Sequence, residues 1–588
     1  MVIEIPKELT DYEALKEELP RIEGHPRGLS MNYGLSPISH IRHGVTYYPK
    51  AEFIARTYDN GIIRQTYAEW FEHCVRISNA LKDLGVAEHS FVQVYGDNTM
   101  EANEAKTAIW LADCIPELMN PVFELKYAAH GANLFEDQVV FVGAARLGQM
   151  EKAAEHMRTV KAFVVMPEIP REGTTLKNAF SYNDLLKKSS PGFSGWPEPP
   201  ELGVGCVNWT TGTTGVPKPC LHSHRDMWIQ SVYHCLRSDM GIGLGDSLLH
   251  VIGVFHAGHW MYDLSGMMYG NTQVLVGSGP DPDWLAKLIE VGRVTFSAGV
   301  PQVWERFLDY LDGEQKKGRN HDISSLKRLN LAGMAPSLRL QERLEERGIE
   351  PIHGWGMSEG PCWGAVQARP KPYHNLSVDE VRHLRKKQGL PPPGLLEIKV
   401  LGPNGKEVPW DNSTAGEVCQ KGPVIISKYY KRPKENEQCF TADGWMLTGD
   451  LAVVDPEGYM EIVDRSKDLI KSGGEWISSI MIENEAAAHP KVAIAACTWV
   501  SHPEWKERPI LLVVPVPEQQ ISEEELLRFL APRFRNWQLP DKVIVVENVP
   551  RTSVGKIDKA AVRKQYRDIQ LPEKPVRKKP DIRMLCLE

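Results

Sequence analysis

The stretch Trp209-Thr-Thr-Gly-Thr-Thr-Gly-Val-Pro-Lys218 is the most informative part of this sequence, and it follows a short apolar run. Gly212 and Gly215 stand among four threonines, and a lysine ends the stretch. Glycines let backbone N–H groups turn inward as an anion nest, while threonine hydroxyls and the lysine charge add further donors. A Walker loop is excluded, because Pro219 follows the lysine where serine or threonine is required. The stretch predicts a polyphosphate-binding loop, with a Gly/Thr-rich surface turn as the alternative.

The composition is that of a globular protein with more than one domain. The chain has 588 residues, which is too long for a single hydrophobic core. Its apolar content of 42% and charged content of 24% are ordinary, and a net charge of −8 gives no reason to expect nucleic acid as a partner. The ten cysteines include no C-x-x-C pair, which favours reduced thiols over zinc or disulfides. With no signal peptide and no apolar run of about 18 residues, we predict a cytoplasmic protein without a membrane span.

The first half of the chain alternates strand-like and helix-like segments. Short apolar runs occur at residues 91–95, 139–142, 162–166 and 273–276, and helical patterns at residues 67–84, 103–111 and 149–157. This alternation is typical of an α/β body with parallel sheet.

The second half changes character twice. Residues 395–430 are rich in short strand-like runs, among them 396–400 and 424–426, and a compact unit follows Asp464. The fold prediction is therefore α/β: a large N-terminal domain with mixed parallel sheets and a β-rich subdomain, plus a small α+β C-terminal domain. The predicted boundaries are 1–464 for the large domain (1–50 being an N-terminal extension), 465–570 for the small domain and 571–588 for a tail.

Two clusters in the large domain suit a nucleotide. Gly354-Trp-Gly-Met-Ser-Glu359 combines an aromatic ring, which can lie on a purine, with a carboxylate, which can hold Mg²⁺. Leu447-Thr-Gly-Asp450 is predicted to end a strand with an acid that suits the hydroxyls of a ribose. Taken alone, the first cluster has a tight turn with a chance glutamate as its alternative, and the second has an aspartate that caps a turn, which is the commoner role of a lone Thr-Gly-Asp.

Two further clusters lie in the C-terminal part. Asp464-Arg-Ser-Lys-Asp-Leu-Ile-Lys-Ser-Gly-Gly-Glu-Trp476 mixes charges with a glycine pair, which indicates a close approach of the backbone to a ligand or another segment. Pro550-Arg-Thr-Ser-Val-Gly-Lys-Ile-Asp558 contains a Gly-Lys pair that is a weak signal by itself. A solvated loop is the alternative for the charges of the first cluster.

Together and in this order, the five motifs resemble the adenylate-forming superfamily, which contains acyl-CoA ligases, peptide-synthetase adenylation domains and beetle luciferases. The resemblance covers about residues 67–566. The full sequence at residues 464–479, followed by His502-Pro-Glu-Trp-Lys-Glu-Arg-Pro509, resembles that of the medium- and long-chain fatty-acyl-CoA ligases. The methylthiopropionate-CoA ligases have a similar sequence there.

The resemblance implies a role for individual residues. It implies catalytic roles for Lys556, Glu359, Lys218 and His256, and Mg²⁺ ligation by Glu359 and Thr214. It implies that ATP and coenzyme A contact Thr210, Thr211, Gly212, Thr213, Thr214, Gly215, Lys218, Gly333, Gly354, Trp355, Gly356, Ser358, Asp450, Arg465, Lys467, Gly473, Gly474, Trp476 and Lys556. In this set Trp355 would stack near adenine, Asp450 and Arg465 would face the ribose, and Gly473, Gly474 and Trp476 would line the pantetheine path.

The implied reaction is ATP-dependent activation of a carboxylic acid as acyl-AMP with release of pyrophosphate, followed by transfer of the acyl group to the thiol of CoA. Lys556 and Mg²⁺ would neutralise the charge that develops when a carboxylate attacks the α-phosphate. The small domain would rotate about a hinge at residues 465–467, with Lys467 as the hinge residue. This rotation would remove Lys556 from the site and let the thiol of CoA enter it. ATP, Mg²⁺ and CoA are thus the expected cofactors, and a homodimer is compatible with the resemblance.

The sequence departs from the family pattern at two positions and leaves alternatives open. Pro219 stands where glycine is usual, and Ser358 replaces the commoner threonine. An acyl-nucleotide-binding protein with weak or no ligase activity, or an adenylate-forming enzyme with another acceptor, are the alternative functions. The substrate is predicted as a fatty or related acid, with Trp260, Trp355 and Trp363 favouring short, medium or aromatic acids.

Overall fold

The computed structural model describes residues 21–22, 25–26, 31, 33–210, 216–237, 239–366, 371, 374–402, 404–473, 475–551 and 557–571. Its strands, numbered in chain order, are β1 Arg21–Ile22, β2 His25–Pro26, β3 Glu52–Arg56, β4 Ile62–Thr66, β5 Phe91–Tyr95, β6 Ile115–Leu118, β7 Val139–Gly143, β8 Ala162–Met166, β9 Ala179–Ser181, β10 Val204–Trp209, β11 Pro219–Ser223, β12 Ser247–His250, β13 Thr272–Leu275, β14 Phe296–Gly299, β15 Arg328–Ala332, β16 Glu350–Met357, β17 Gly360–Val366, β18 Glu397–Leu401, β19 Gly416–Lys421, β20 Met446–Val454, β21 Met460–Arg465, β22 Ile470–Ser472, β23 Glu475–Ile477, β24 Val492–His502, β25 Lys506–Pro515 and β26 Lys542–Val545.

The helices are α1 Pro37–Tyr47, α2 Tyr67–Asp83, α3 Met100–Leu111, α4 Leu125–Phe135, α5 Leu147–Ala154, α6 Tyr182–Lys188, α7 His224–Tyr233, α8 Ala257–Tyr269, α9 Pro282–Gly292, α10 Pro301–Lys316, α11 Leu338–Glu345, α12 Val378–Leu384, α13 Pro433–Cys439, α14 Ser479–Ala487, α15 Glu523–Leu530 and α16 Lys559–Gln565. Within the described residues, none of the helices has the length and apolarity that crossing a membrane would need.

Two large sheets form the body. The first runs in the order β11-β10-β6-β5-β7-β8-β9 and is parallel except for the β10–β11 pair. The second runs β17-β16-β15-β14-β12-β13-β3-β4 and is antiparallel only at its two outer pairs. Both sheets therefore combine a parallel centre with an antiparallel hairpin at an edge, where the chain can turn tightly instead of crossing over on a helix.

Helices α2, α3 and α8 lie between the two sheets and share one hydrophobic core with them. Every residue of α3 after Glu101 is buried, including the charged Glu104 and Lys106. Lys106 forms a buried ion pair with Asp263 of α8, so the central layer is closed by a charge pair as well as by apolar contact. Helices α4 and α5 cover the outer face of the first sheet, and α9, α10 and α11 cover that of the second.

Two smaller sheets follow in the chain. Strands β18-β19-β20-β21 form an antiparallel sheet with its own core. Strands β22 to β26 form a separate sheet, which α14 and α15 cover on one face and α16 on the other. The described part of the chain thus has an α/β body, a β-rich subdomain and a small α+β unit, which confirms the predicted fold class.

Most predicted elements are confirmed within a few residues, because their apolar periods coincide with buried faces. The helix predicted at 67–84 is α2, which begins at a capping box between Thr66 and Glu69 and stops before Gly85, whose φ is 77°. Two predictions are wrong. Residues 424–426 form no strand, and their apolar side chains pack under a turn instead. The strand predicted to end at Asp450 continues to Val454.

Candidate functional site: a phosphate cluster and a nucleoside cavity

The predicted phosphate-binding loop connects β10 to β11. At its base, the Thr210 amide donates to the Lys218 carbonyl (2.9 Å), and the Lys218 amide donates to Thr210 Oγ1 (3.1 Å). These two bonds close the loop, while Thr211, Gly212, Thr213, Thr214 and Gly215 lie outside the described residues. Pro219 begins the edge strand β11, a place where the missing N–H of proline costs the sheet little. The unusual proline therefore belongs to the strand rather than to the loop.

Glu359 faces the same region from the turn between β16 and β17. Its side chain is buried, and its backbone carbonyl accepts from the Ile426 amide (2.9 Å). The preceding Ser358 carbonyl lies 3.1 Å from His222 Nε2 on β11. The hairpin that carries Ser358 and Glu359 is thus attached on both sides, to β11 and to the segment after β19.

Tyr429 joins the lysine to the glutamate. Its hydroxyl donates to Glu359 Oε1 (2.5 Å), and Lys218 Nζ lies 4.0 Å from the centre of its ring. Burial, together with the negative charge of Glu359, raises the pKa of the Tyr429 hydroxyl above its usual range, so the hydroxyl stays a donor. The sequence analysis missed Tyr429. The Tyr429-Tyr430 pair carries no local signal of this role, because Tyr429 meets Lys218 and Glu359 from a segment far away in the chain.

A second group of predicted residues lines one cavity of about 100 Å³. The Trp355 indole donates to Asp450 Oδ2 (2.8 Å), and Arg465 Nε lies 3.0 Å from Asp450 Oδ1. The residues around the cavity are Gly333, Met334, Ala335, His353, Gly354, Trp355, Gly356, Gln388, Asp450, Ile462, Arg465 and Ile480. Asp450 and Arg465 meet because β20 and β21 pair in that register, and Gly449 before Asp450 has a φ of 74°. The cavity therefore combines an aromatic edge, a buried carboxylate and a guanidinium, groups that can meet the base and the hydroxyls of a nucleoside.

The donor set around Glu359 suits Mg²⁺. A carboxylate is the hard oxygen ligand that this ion prefers, and the bond from Tyr429 to Oε1 leaves Oε2 for a cation. Lys218 supplies a positive charge beside it for phosphate oxygens. The predicted second ligand, Thr214, is outside the described residues.

The predicted hinge begins where β21 ends. The Asp464 carboxylate accepts from the Ser479 hydroxyl (2.9 Å), and Lys559 Nζ contacts Glu483 (3.0 Å). Arg563 of α16 pairs with Asp468 (2.9 Å). The segment after β21 is therefore tied to α14 and α16 by buried charges.

Lys467 lies in this segment and carries an unusual pKa. Burial lowers the pKa of Lys467 to about 8, and the neighbouring Arg465 guanidinium acts in the same direction. Partial burial and neighbouring cations both disfavour the charged form of a lysine, so the protonated Lys467 costs free energy in the folded chain.

Gly473 lies in the turn after β22 of the small sheet, and Trp476 lies on β23. The Gly473 amide donates to the Trp505 carbonyl (2.8 Å), with φ at 63°, and Trp476 is half exposed. The neighbouring Ser472 accepts from Arg508 Nη1 (2.8 Å), and the buried Arg508 also donates to both oxygens of Asp541. Gly474 is outside the described residues. The glycine turn is thus fixed by contacts inside the small unit.

His256 lies at the start of α8, where its Nδ1 accepts from the Gly258 amide (3.2 Å). The preceding Phe255 carbonyl accepts from Asn208 Nδ2 (2.9 Å), and Asn208 Oδ1 accepts from the Trp260 indole (3.1 Å). Trp260 is completely buried. Asn208, which the sequence analysis missed, therefore connects the strand before the phosphate-binding loop to the segment that carries His256.

The structure brings the predicted residues into three places. Lys218 and Glu359, joined by Tyr429 and with Thr210 at the base of the loop, form a cluster that we call the phosphate cluster after its predicted ligand. Gly333, Gly354, Trp355, Gly356, Asp450 and Arg465 line the cavity of about 100 Å³, which we call the nucleoside cavity for the same reason. Gly473 lies in the turn after β22, and Trp476 lies on β23. Lys556 and the side chain of Trp363 are outside the described part of the chain.

Comparisons with known proteins identify the family of the chain. The model of the family "AMP-binding enzyme" matches residues 42–430, and that of "AMP-binding enzyme C-terminal domain" matches residues 481–556. The chain is 36% identical to a long-chain-fatty-acid–CoA ligase of Thermus thermophilus, over 90% of this chain and 95% of the relative. It is 32% identical to a 3-methylmercaptopropionyl-CoA ligase of Ruegeria pomeroyi, over 90% and 97%.

Among solved structures, the anthranilate CoA ligase AuaEII in complex with anthranoyl-AMP superposes with a TM-score of 0.80 at 20% identity, covering 91% of this chain and 98% of that one. This likeness concerns the fold, and the family follows from the sequence matches. The expected resemblance is thereby confirmed: the chain belongs to the AMP-binding enzyme family.

Proposed function

We propose that this chain is an AMP-forming acid–CoA ligase, which converts a carboxylic acid and ATP to acyl-AMP and pyrophosphate and then transfers the acyl group to the thiol of CoA, releasing AMP. One observation carries the proposal: a single hairpin presents Trp355 to a nucleoside cavity and Glu359 to a phosphate cluster. Because both residues belong to β16 and its turn, the spacing between base and phosphates is built into one element.

ATP would lie along this hairpin. Asp450 and Arg465 would meet the ribose hydroxyls, and the closed base of the loop at Thr210 and Lys218 would direct donors to the terminal phosphates. Ser358 and Gly356 would lie between the two ends of the nucleotide. Mg²⁺ on Glu359, with Thr214 as the second proposed ligand, would supply charge neutralisation at the phosphate oxygens.

Lys556 would reach the α-phosphate from the small domain. Arg551, five residues before it, lies beside the large domain: burial lowers the pKa of Arg551, and the charges of Glu305 and Arg306 on α10 act on the same guanidinium. The attack of one anion on another needs a cation at the developing charge, which a lysine arriving with the small domain would provide.

CoA would use the same space in the second step. We propose a large domain of residues 1–464, a small domain of 465–570 and a hinge at 465–467 around Lys467. The separation of the β21 sheet from the β22 sheet supports this division. Rotation would bring Gly473, Gly474 and Trp476 to the pantetheine arm and expose the acyl-AMP to the thiol near His256.

The relatives act, by their names, on long-chain fatty acids and on 3-methylmercaptopropionate. We therefore propose a fatty or related carboxylic acid as substrate. A homodimer and a cytoplasmic location stay predictions.

The experiment is an acid panel with two readouts. The purified chain is incubated with ATP, Mg²⁺ and propionate, 3-methylmercaptopropionate, octanoate, palmitate or benzoate, with and without CoA. Pyrophosphate release reports the first step and thioester formation the second. Glu359→Gln is the matched inactive control, because it keeps the size of the side chain and removes its charge.

We expect acid-dependent pyrophosphate release and a CoA thioester from at least one acid. Pyrophosphate without thioester would indicate another acceptor. Bound ATP with neither product from any acid would favour an acyl-nucleotide-binding protein and contradict the proposal.

A further inference from the structure

Tyr429 touches both charged residues of the phosphate cluster. The residue is 2% exposed, its hydroxyl lies 2.5 Å from Glu359 Oε1, and the centre of its ring lies 4.0 Å from Lys218 Nζ. One side chain thus makes a charge-assisted hydrogen bond with an acid and a cation–π contact with a base.

The position of this ring is set by its own backbone. The Tyr429 amide donates to Asn436 Oδ1 (2.8 Å), and Asn436 Nδ2 donates back to the Tyr429 carbonyl (3.0 Å). The ring also packs edge-on against Phe440, with 5.8 Å between the ring centres. These contacts do not involve Lys218 or Glu359, so the ring is in place before any ligand arrives.

We infer that Tyr429 is a positioning residue for the Mg²⁺·ATP site, a role that rests on the proposed function. Its hydroxyl fixes the Glu359 carboxylate through Oε1, so that Oε2 would be the oxygen that holds the cation. Its ring holds the Lys218 ammonium beside that carboxylate, where a phosphate oxygen can meet both charges. Partners of this kind orient a metal ligand without touching the metal.

Two substitutions separate the two contacts. Tyr429→Phe removes the hydroxyl and keeps the ring under Lys218, whereas Tyr429→Leu removes both. Tyr430→Phe is the matched control, because the adjacent Tyr430 ring stacks on Phe135 (5.5 Å between centres) and lies beside Lys431 rather than in the phosphate cluster.

Binding of a non-hydrolysable ATP analogue is measured by calorimetry, without acid or CoA, across a Mg²⁺ series and in EDTA. For Tyr429→Phe we expect the Mg²⁺ concentration at half-maximal enhancement of binding to rise about 10- to 100-fold, the usual cost of losing a partner of a metal ligand. Binding in EDTA should match that of Tyr430→Phe. Tyr429→Leu should bind more weakly in EDTA as well, by roughly 2- to 30-fold, because Lys218 loses its ring contact.

An unchanged Mg²⁺ dependence in Tyr429→Phe would overturn the inference. So would an equal loss with and without Mg²⁺, which would assign the residue to packing alone. Thermal unfolding of each variant shows whether it is folded. If Tyr429→Leu is not folded, the result for Tyr429→Phe alone decides between the outcomes. A wild-type chain that binds Mg²⁺·ATP but forms no thioester would reject the proposed function and leave this inference standing, and one that binds no ATP would reject both.

Discussion

The phosphate cluster and the glycine turn of the small unit are built in opposite ways. Lys218, Glu359 and Tyr429 come from three separate segments of the body and meet through contacts between them. Gly473 is fixed by Trp505 and, through Ser472, by Arg508, all within the small unit.

This difference has a physical consequence. The phosphate cluster exists only while the large body is assembled, since each of its members depends on a distant segment. The glycine turn keeps its contacts wherever the small unit is placed. Under the proposed domain rotation, the site that stays in place is thus stabilised by contacts between distant segments of the body, and the site that moves by contacts within one unit.

The largest expected effect tests whether the small unit is stabilised by its own contacts, independently of the large body. Arg508→Met leaves Asp541 without its buried partner, which should destabilise the small unit by about 3–5 kcal/mol. Urea unfolding followed by limited proteolysis should show the small unit lost first, with the transition of the large body unmoved. Arg528→Met, at an exposed pair with Glu524 in the same unit, is the control and should change little. One common shift of the whole chain would show that the two units unfold together.

The second effect concerns the residue that the small unit would contribute to the first step of the proposed reaction, Lys556. Lys556→Ala should slow acid-dependent pyrophosphate release about 10²- to 10³-fold, the scale for removing one donor from a developing charge. Thioester formation from supplied acyl-AMP should change much less, because that step does not need the lysine at the α-phosphate. Lys564→Ala, on the exposed side of α16, is the control. Equal losses in the two steps would mean that the variant is misfolded.

The third effect concerns the glycine turn. Gly473→Ala places a side chain at a φ of 63°, with its Cβ 2.8 Å from Trp505 Cε3. The left-handed backbone alone costs about 1–2 kcal/mol, so we expect thioester formation to slow by roughly tenfold while pyrophosphate release is kept. Gly348→Ala has a similar φ of 71° but open space around it, and separates backbone strain from crowding. A variant slowed in pyrophosphate release alone would place the turn in the first step instead.

The smallest effect concerns the link between the two regions. Lys467 has a pKa of about 8 in the folded chain, below its ordinary value of 10.5, so folding carries the cost of a poorly solvated charge below pH 8. This cost falls as the pH rises from about 8 to 10.5, because the folded state then releases its proton first. Lys467→Met should therefore raise the Tm by roughly 2 °C at pH 7, with a smaller gain at pH 9.5. The exposed Lys471→Met is the control, and a gain independent of pH would contradict the charge argument.

Much of the fold could be predicted from the sequence, because its periodic segments are also its buried faces. The helix α2 and the strands β5 and β8 have the predicted positions, and each combines an apolar pattern with clear end signals. The prediction of a strand at residues 424–426 is wrong, because a short apolar run packs equally well under a turn.

The sequence by itself determined the chemical inventory of the site: a threonine- and glycine-rich loop, a lysine, a glutamate, an aspartate and a glycine pair, in one order along the chain. Such motifs are local, so their residue types and spacing can be read directly. Only the tertiary structure decided that Tyr429 joins Lys218 to Glu359, that Trp355 donates to Asp450, and that Arg508 braces the glycine turn. These contacts join segments far apart in sequence, and their partners are selected by sheet register and packing, which no local pattern encodes.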